Sequence, residues 1–175
     1  MGSNISHRPL PGRHARDVLD AIRRIVQALR ESSRLAESRV GLSGAQLFAL
    51  RTIAESPGLS LNELAERTRT HQSSVSAVVT RLAEHGLVRK RAADGDARRM
   101  EIRSTPSGRR RLDRAPQAAQ ERLIASVDAL PGAARASLAV TLDALVRGMA
   151  LPRKRPAMFF EEPARRATVR RRTHA

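Results

Sequence analysis

Between Leu59 and Gly108 the chain sets two short helices and a hairpin in a fixed order, and no other stretch restricts the fold as much. Ser60-Leu61-Asn62-Glu63 places a serine that can cap a helix three residues ahead of a glutamate that can answer it, a capping box. The helix it starts runs on through Leu64-Ala65-Glu66-Arg67. A polar turn, Thr68-Arg69-Thr70, leads to a second helix from His71 to His85, where Val75, Val78, Val79 and Leu82 fall at i, i+3, i+4 and i+7. Gly86 stops it. Leu87-Val88-Arg89-Lys90-Arg91 then reads as a strand. Ala92 to Arg99 reads as a charged hairpin tip around the tight-turn pair Asp94-Gly95, and Met100-Glu101-Ile102-Arg103 returns as the second strand.

Helices flank this unit. From His14 to about Ser38, Val18, Ile22, Ile25 and Leu29 recur at steps of four, three and four, the stripe of an amphipathic helix. Ser43 with Gln46 makes another capping box, opening a helix with Leu47, Phe48, Leu50 and Ile53 as apolar positions, and Ser56-Pro57-Gly58 ends it. Thr105-Pro106 places a cap residue before a proline at the first helical position. The pattern there predicts one long helix to about Leu130, a break at Pro131-Gly132, and a last helix from about Ala133 to Met149. Residues 1–13, with two prolines, two glycines and no periodicity, read as a disordered arm. Residues 151–175 carry eight basic residues against Glu161 and Glu162 and read as a disordered basic tail.

The expected fold class is therefore mainly α: a winged helix-turn-helix with a two-stranded β wing, over about 43–104, flanked by N- and C-terminal helices at about 14–38 and 106–149. Composition agrees. With three Phe and no Trp or Tyr, the core has to come from Leu, Val, Ile and Ala, which suits packed helices. The net charge of +16 calls for an anionic polymer or surface as partner. Arginine makes up 31 of the 33 basic residues, a bias that a GC-rich genome would also produce, so the placement of the charge has to carry the argument.

Several classes drop out. The chain has no cysteine, hence no disulfide or thiolate metal site. No apolar run approaches the roughly 20 residues of a membrane span, and Met1 to Arg16 lacks the apolar stretch of a secretion signal. The expectation is a cytoplasmic protein without a membrane partner. An enzyme would need an activated nucleophile, a metal cluster or a phosphate-binding glycine loop. The five histidines, at 7, 14, 71, 85 and 174, are scattered, and no catalytic residue, metal ligand or cofactor is expected.

What remains is double-stranded DNA. The second helix of the motif begins with small polar residues: Thr70 as cap, then His71, Gln72, Ser73 and Ser74, with Ser76, Thr80 and Arg81 further along. Such side chains let a helix enter a groove about 12 Å wide and reach base edges, and glutamine suits a bidentate bond to adenine. In the hairpin, Arg89, Arg91, Arg98 and Arg99 concentrate positive charge, and an arginine on a ribbon tip suits a narrow minor groove. A non-specific architectural DNA binder is the alternative. It fits the charge but leaves the polar helix face unexplained.

Over about residues 15–150 the sequence resembles the MarR (multiple antibiotic resistance regulator) family. The strongest part is Asp96-Ala97-Arg98 followed, seven residues after Arg98, by Thr105-Pro106-Ser107-Gly108. The family's wing reads Asp-Arg-Arg, a strand, then Leu-Thr-x-x-Gly. Asp96 matches its aspartate and Arg98 its second arginine, while Ala97 and Ser104 depart from it. The resemblance implies that the arginine enters the minor groove while Asp96 holds the wing in shape; with Ala97 in place, either Arg98 or Arg99 fills that role. It further implies a sequence-specific transcriptional regulator, a repressor, acting as a homodimer whose terminal helices interlock. The apolar richness of those helices supports the homodimer independently. A small anionic or phenolic effector is implied where these helices meet the DNA-binding unit, and Ser32, Ser33, Arg34 and Arg51 lie on helices that could line such a place. In the tail, Pro152-Arg153-Lys154-Arg155-Pro156 is similar to an AT-hook core. Lys154 stands where the hook's glycine reaches the groove floor, so the run reads as a non-specific phosphate attractor.

Overall fold

The computed structural model describes residues 12–93, 96–151 and 157–159, with backbone alone at 93 and 96–98. Its elements in chain order are α1 (Arg13–Val40), α2 (Gly44–Glu55), α3 (Leu61–Arg67), α4 (Gln72–Glu84), β1 (Val88–Ala93), β2 (Asp96–Ser104), α5 (Pro106–Leu112), α6 (Ala119–Asp128) and α7 (Gly132–Gly148). Among the described residues, no single helix is long and apolar enough to cross a membrane.

Local rules place the helix starts. Ser43 and Gln46 form the complete capping box of α2, Ser60 and Glu63 that of α3. Each box satisfies two backbone donors that the first helical turn leaves unpaired, and losing the cap serine costs about 1 kcal/mol. Thr105 caps α5 through its side chain, with Pro106 at the first helical position. At the other end of α1, Gly41 takes a left-handed φ of 64° and its N–H bonds the Glu37 carbonyl at 2.9 Å, closing the helix.

Helix α2 lies at the centre. Ala45, Leu47, Ala49, Leu50 and Ile53 are all without solvent contact, while Arg51, Thr52 and Glu55 near its end reach the surface. Around it close Leu42, Leu64, Val75, Val78, Val79, Leu82, Leu87 and Ile102, an aliphatic core as the composition requires. The strands pair antiparallel, Arg89 facing Arg103, Lys90 facing Ile102 and Arg91 facing Glu101. Leu59 adds a third, one-residue rung: the Ile102 N–H donates to the Leu59 carbonyl at 2.8 Å and the Gly58 N–H to the Ile102 carbonyl at 3.1 Å. The wing is thereby bonded to the segment that opens α3.

Three expectations need correction. The long helix over 106–130 is two helices, α5 and α6, because residues 113–118, with Pro116 among them, leave helical geometry. The cap residue of α4 is His71, not Thr70, and no side chain caps that helix; the Thr70 N–H instead bonds the Ala65 carbonyl at 3.0 Å. The hairpin tip is shorter than Ala92 to Arg99: strand pairing runs to Ala93 and resumes at Asp96, so Arg98 and Arg99 belong to β2. Beyond α7, Met158 is 4% exposed and part of the core cluster. Of the expected arm at 1–13, residues 1–11 lie outside the described residues, as do the Asp94-Gly95 turn and the Pro152–Pro156 run, and Arg13 already begins α1.

Candidate nucleic-acid interface

The helix-turn-helix is held together from inside. Thr68, which the sequence reading passed over as part of a polar turn, is buried, and its hydroxyl donates to the Leu64 carbonyl at 2.8 Å. Arg69 follows with a left-handed φ of 52°, uncommon for a residue with a side chain, and this reverses the chain between α3 and α4. The Arg69 guanidinium meets Asp128 at the end of α6 at 3.3 Å, and Arg135 of α7 meets the same carboxylate at 3.5 Å.

Helix α4 then has two faces. Val75, Val78, Val79 and Leu82 are fully buried against α2 and α3. At 3.6 residues per turn, Gln72, Ser76 and Thr80 stack at intervals of four on the opposite side, with Ser73 beside them. Gln72, Ser73 and Thr80 are exposed, and Ser74, Ser76, Arg81, Thr70 and His71 are half-buried around them. The Thr80 hydroxyl donates to the Ser76 carbonyl at 2.9 Å, which fixes its orientation within the helix. This outward face is polar and uncharged, suited to hydrogen bonds with base edges.

The wing supplies cations with different surroundings. Arg89 is exposed, and Arg91 is half-buried opposite Glu101. Arg103 bonds Glu101 on its own strand at 2.8 Å. After Ala92 pairs with Met100, the next partners are Ala93 and Asp96, so residues 97–99 bulge on β2. From that bulge Arg99 reaches α3 and bonds both Glu63 carboxylate oxygens, at 3.1 and 3.2 Å. Glu63 is held below the usual carboxylate range, first by the Ser60 backbone N–H and Ser60 hydroxyl, then by Arg99. Asp96 and Arg98 are placed by backbone alone, on the arm of β2 next to the turn.

Of the residues considered for an effector, Ser33 is buried and accepts from the Gly44 N–H at 3.0 Å, while Ser32 accepts from the Ala119 N–H at 3.0 Å. Arg51 donates to the Pro116 carbonyl at 2.9 Å and pairs with Glu121 at 3.4 Å. Ser32 and Arg51 thus join α1 and α2 to the 116–121 segment, Ser33 joins α1 to α2, and Arg34 is exposed. A larger cavity, about 550 Å³, opens instead between α2, α3 and α6, with Phe48, Glu121, Ile124 and Arg69 in its wall. Burial pushes the Glu121 carboxyl up; Arg51 opposes the rise and nearby Glu55 adds to it. Periodicity could not announce this cavity, since its residues come from three helices.

Comparison with known proteins follows the same outline. Residues 40–99 match the family model described as the MarR family. A Thauera aromatica protein named for a regulatory role at the hcr operon is 33% identical over 93 residues, and the match spans 53% of this chain and 56% of that relative. An HTH-type transcriptional repressor of Mycobacterium tuberculosis is 29% identical over 109 residues, 61% of this chain and 78% of the relative. A MarR family regulator from Streptomyces coelicolor, solved in complex with DNA, superimposes with a TM-score of 0.55 at 22% identity, covering 85% of this chain and 99% of that one, which shows the shared fold. The relatives compared are named as transcriptional regulators and none as an enzyme. With a helix-turn-helix closed by a bonded wing, and the family model matching across most of that unit, residues 40–99 are similar to the MarR family.

Proposed function

We propose that the chain is a sequence-specific double-stranded DNA-binding transcriptional regulator, a repressor that acts as a homodimer. The observation that carries this is the outward face of α4: Gln72, Ser73, Ser76 and Thr80 share one side of a helix whose other side is fully buried. An architectural binder needs a row of cations there, and these four side chains are uncharged, with Arg81 at their border. Phosphate contact falls to the wing, with Arg89, Arg91, Arg98 and Arg99, and Asp96 to shape it, while Thr70, His71, Ser74 and Arg81 border the reading face. Selection of bound sites from random duplex tests the reading. A regulator enriches one pseudo-palindrome with half-sites about 10 bp apart, whereas uniform recovery of all sequences refutes it.

The homodimer is supported by apolar surface left over. Helix α7 has no buried residue, and Leu138, Leu142, Leu145 and Val146 are each 39–47% exposed; on α1, Val18, Leu19, Ile22 and Ile25 are 37–46% exposed. Apolar faces on two long helices are a surface that a second copy covers. Release by a small molecule is supported by the cavity between α2, α3 and α6, since Arg69 ties its wall to the turn that positions α4.

A further inference from the structure

The cavity between α2, α3 and α6 has a chemistry opposite to that of the chain around it. Phe48, Ile124 and Ala125 give it an apolar wall. Four carboxylates, those of Glu55, Glu66, Glu121 and Asp128, stand around it against the two guanidiniums of Arg67 and Arg69. In a protein of net charge +16, composition alone would give the reverse.

One of the guanidiniums is already engaged, because Arg69 pairs with Asp128. Glu55 and Glu66 are exposed at the rim and form no ion pair among the described residues. Glu121 is met by Arg51, which does not line the cavity and divides its donors between Glu121 Oε2 and the Pro116 carbonyl. The other oxygen, Glu121 Oε1, is buried with no hydrogen-bond partner. A buried acceptor without a donor is unfavourable until something supplies one.

We propose that this cavity takes a small aromatic organic cation, an amidinium or protonated amine. Its ring lies on Phe48 and Ile124, and its N–H groups face Glu121 and Glu55. The proposal rests on the reading of this cavity as the regulatory site and names its ligand class, the reverse of the anionic class that the family resemblance implies. A volume of about 550 Å³ suits a ligand of one or two rings. The same placement gives the cation a route to the DNA-binding helix. A positive group in the cavity competes with Arg69 for Asp128, and Arg69 sits in the turn between α3 and α4. A ligand that favours the state with that pair open shifts the position of α4.

The test uses two probes of nearly equal size and opposite charge, benzamidine (a cation at neutral pH) and benzoate. Each is titrated calorimetrically into the full chain, and then into the protein bound to its selected operator. The expected result is benzamidine binding about tenfold tighter than benzoate, the effect of two or three partly screened charge contacts, with weaker operator binding at saturation. Glu121→Gln and, at an exposed position that does not threaten folding, Glu55→Gln each lower benzamidine affinity several-fold and leave benzoate unaffected or tighter. Benzoate binding more tightly overturns the cationic class and leaves the cavity as a regulatory site. Benzamidine binding that ignores both substitutions overturns the placement. Benzamidine binding with operator affinity unchanged supports the ligand class and refutes the regulatory reading. Failure of both probes at millimolar concentration overturns the class and the cavity together.

Discussion

Arg99 and Glu63 connect the wing to the first helix of the helix-turn-helix: one guanidinium nitrogen lies 3.1 and 3.2 Å from the two carboxylate oxygens. The sequence reading assigned Arg99 to DNA alone. In the structure it restrains the bulge at residues 97–99 against α3, which leaves Arg98 as the better candidate for minor-groove entry. Arg99→Ala is expected to loosen the wing and weaken operator binding, with amide exchange faster at residues 96–100. Arg98→Ala is expected to weaken operator binding more than random-duplex binding, because a narrow minor groove belongs to particular sequences. Titrations of both variants on both duplexes decide it, and equal losses for Arg98→Ala on the two duplexes would reduce it to a phosphate contact.

Glu63 also closes the α3 capping box, and its lowered pKa links that box to pH. A carboxylate whose folded pKa is depressed stabilises the fold above its unfolded pKa and loses that contribution as pH falls through the folded value. Ser60→Ala removes the hydroxyl, the second cause, and the cap that helps hold Glu63 against the residue-60 backbone N–H, which alanine keeps. Stability should fall by about 1 kcal/mol at neutral pH. The Glu63 titration, followed by NMR, should move up toward the ordinary carboxylate range. The difference between parent and variant should shrink on acidification.

At Gly108 an added Cβ would fall inside the contact radius of the Leu87 carbonyl oxygen, which is backbone and cannot swing aside. That carbonyl accepts from the Thr105 N–H at 2.9 Å, and the Thr105 hydroxyl in turn takes the Gly108 N–H at 3.0 Å, so strand and helix are drawn together at this point. Gly108→Ala should destabilise by about 1–3 kcal/mol, the range for overpacking. Gly132→Ala, at a helix start with open space around it, should be neutral or slightly stabilising. Thermal denaturation of the two side by side checks the contrast.

Gln72→Ala and Ser73→Ala remove exposed side chains from the start of α4, so folding should be untouched. Each should reduce operator affinity by about 1–3 kcal/mol and relax base preference locally. If both variants keep the parent's preference in a repeated site selection, α4 is not the reading helix.

Ile22→Glu with Leu142→Glu places charges on the exposed apolar stripes of α1 and α7. Sedimentation should show monomers in place of the dimer proposed for the parent, with helical content preserved. Removing residues 160–175, which carry five arginines, tests the tail separately while sparing Met158. Affinity for any duplex should fall, and the salt dependence should flatten.

The two capping boxes, the Thr105-Pro106 start and the buried stripe of α4 could be read from the sequence, because each depends on residues three or four apart. The order of elements, and with it the winged helix, followed from those local signals. Tertiary structure decided the rest. Leu59 pairs with Ile102, Gly108 is required by the Leu87 carbonyl, Arg69 finds Asp128, and Met158 returns to the core, all through contacts between segments far apart in sequence. The break between α5 and α6 escaped the pattern because apolar residues continue on either side of it, and Pro116 alone did not outweigh them. Arg99 shows the limit most plainly. A charged side chain in a basic hairpin reads as a ligand contact until the fold brings an acidic partner within reach, and only packing reveals whether it does.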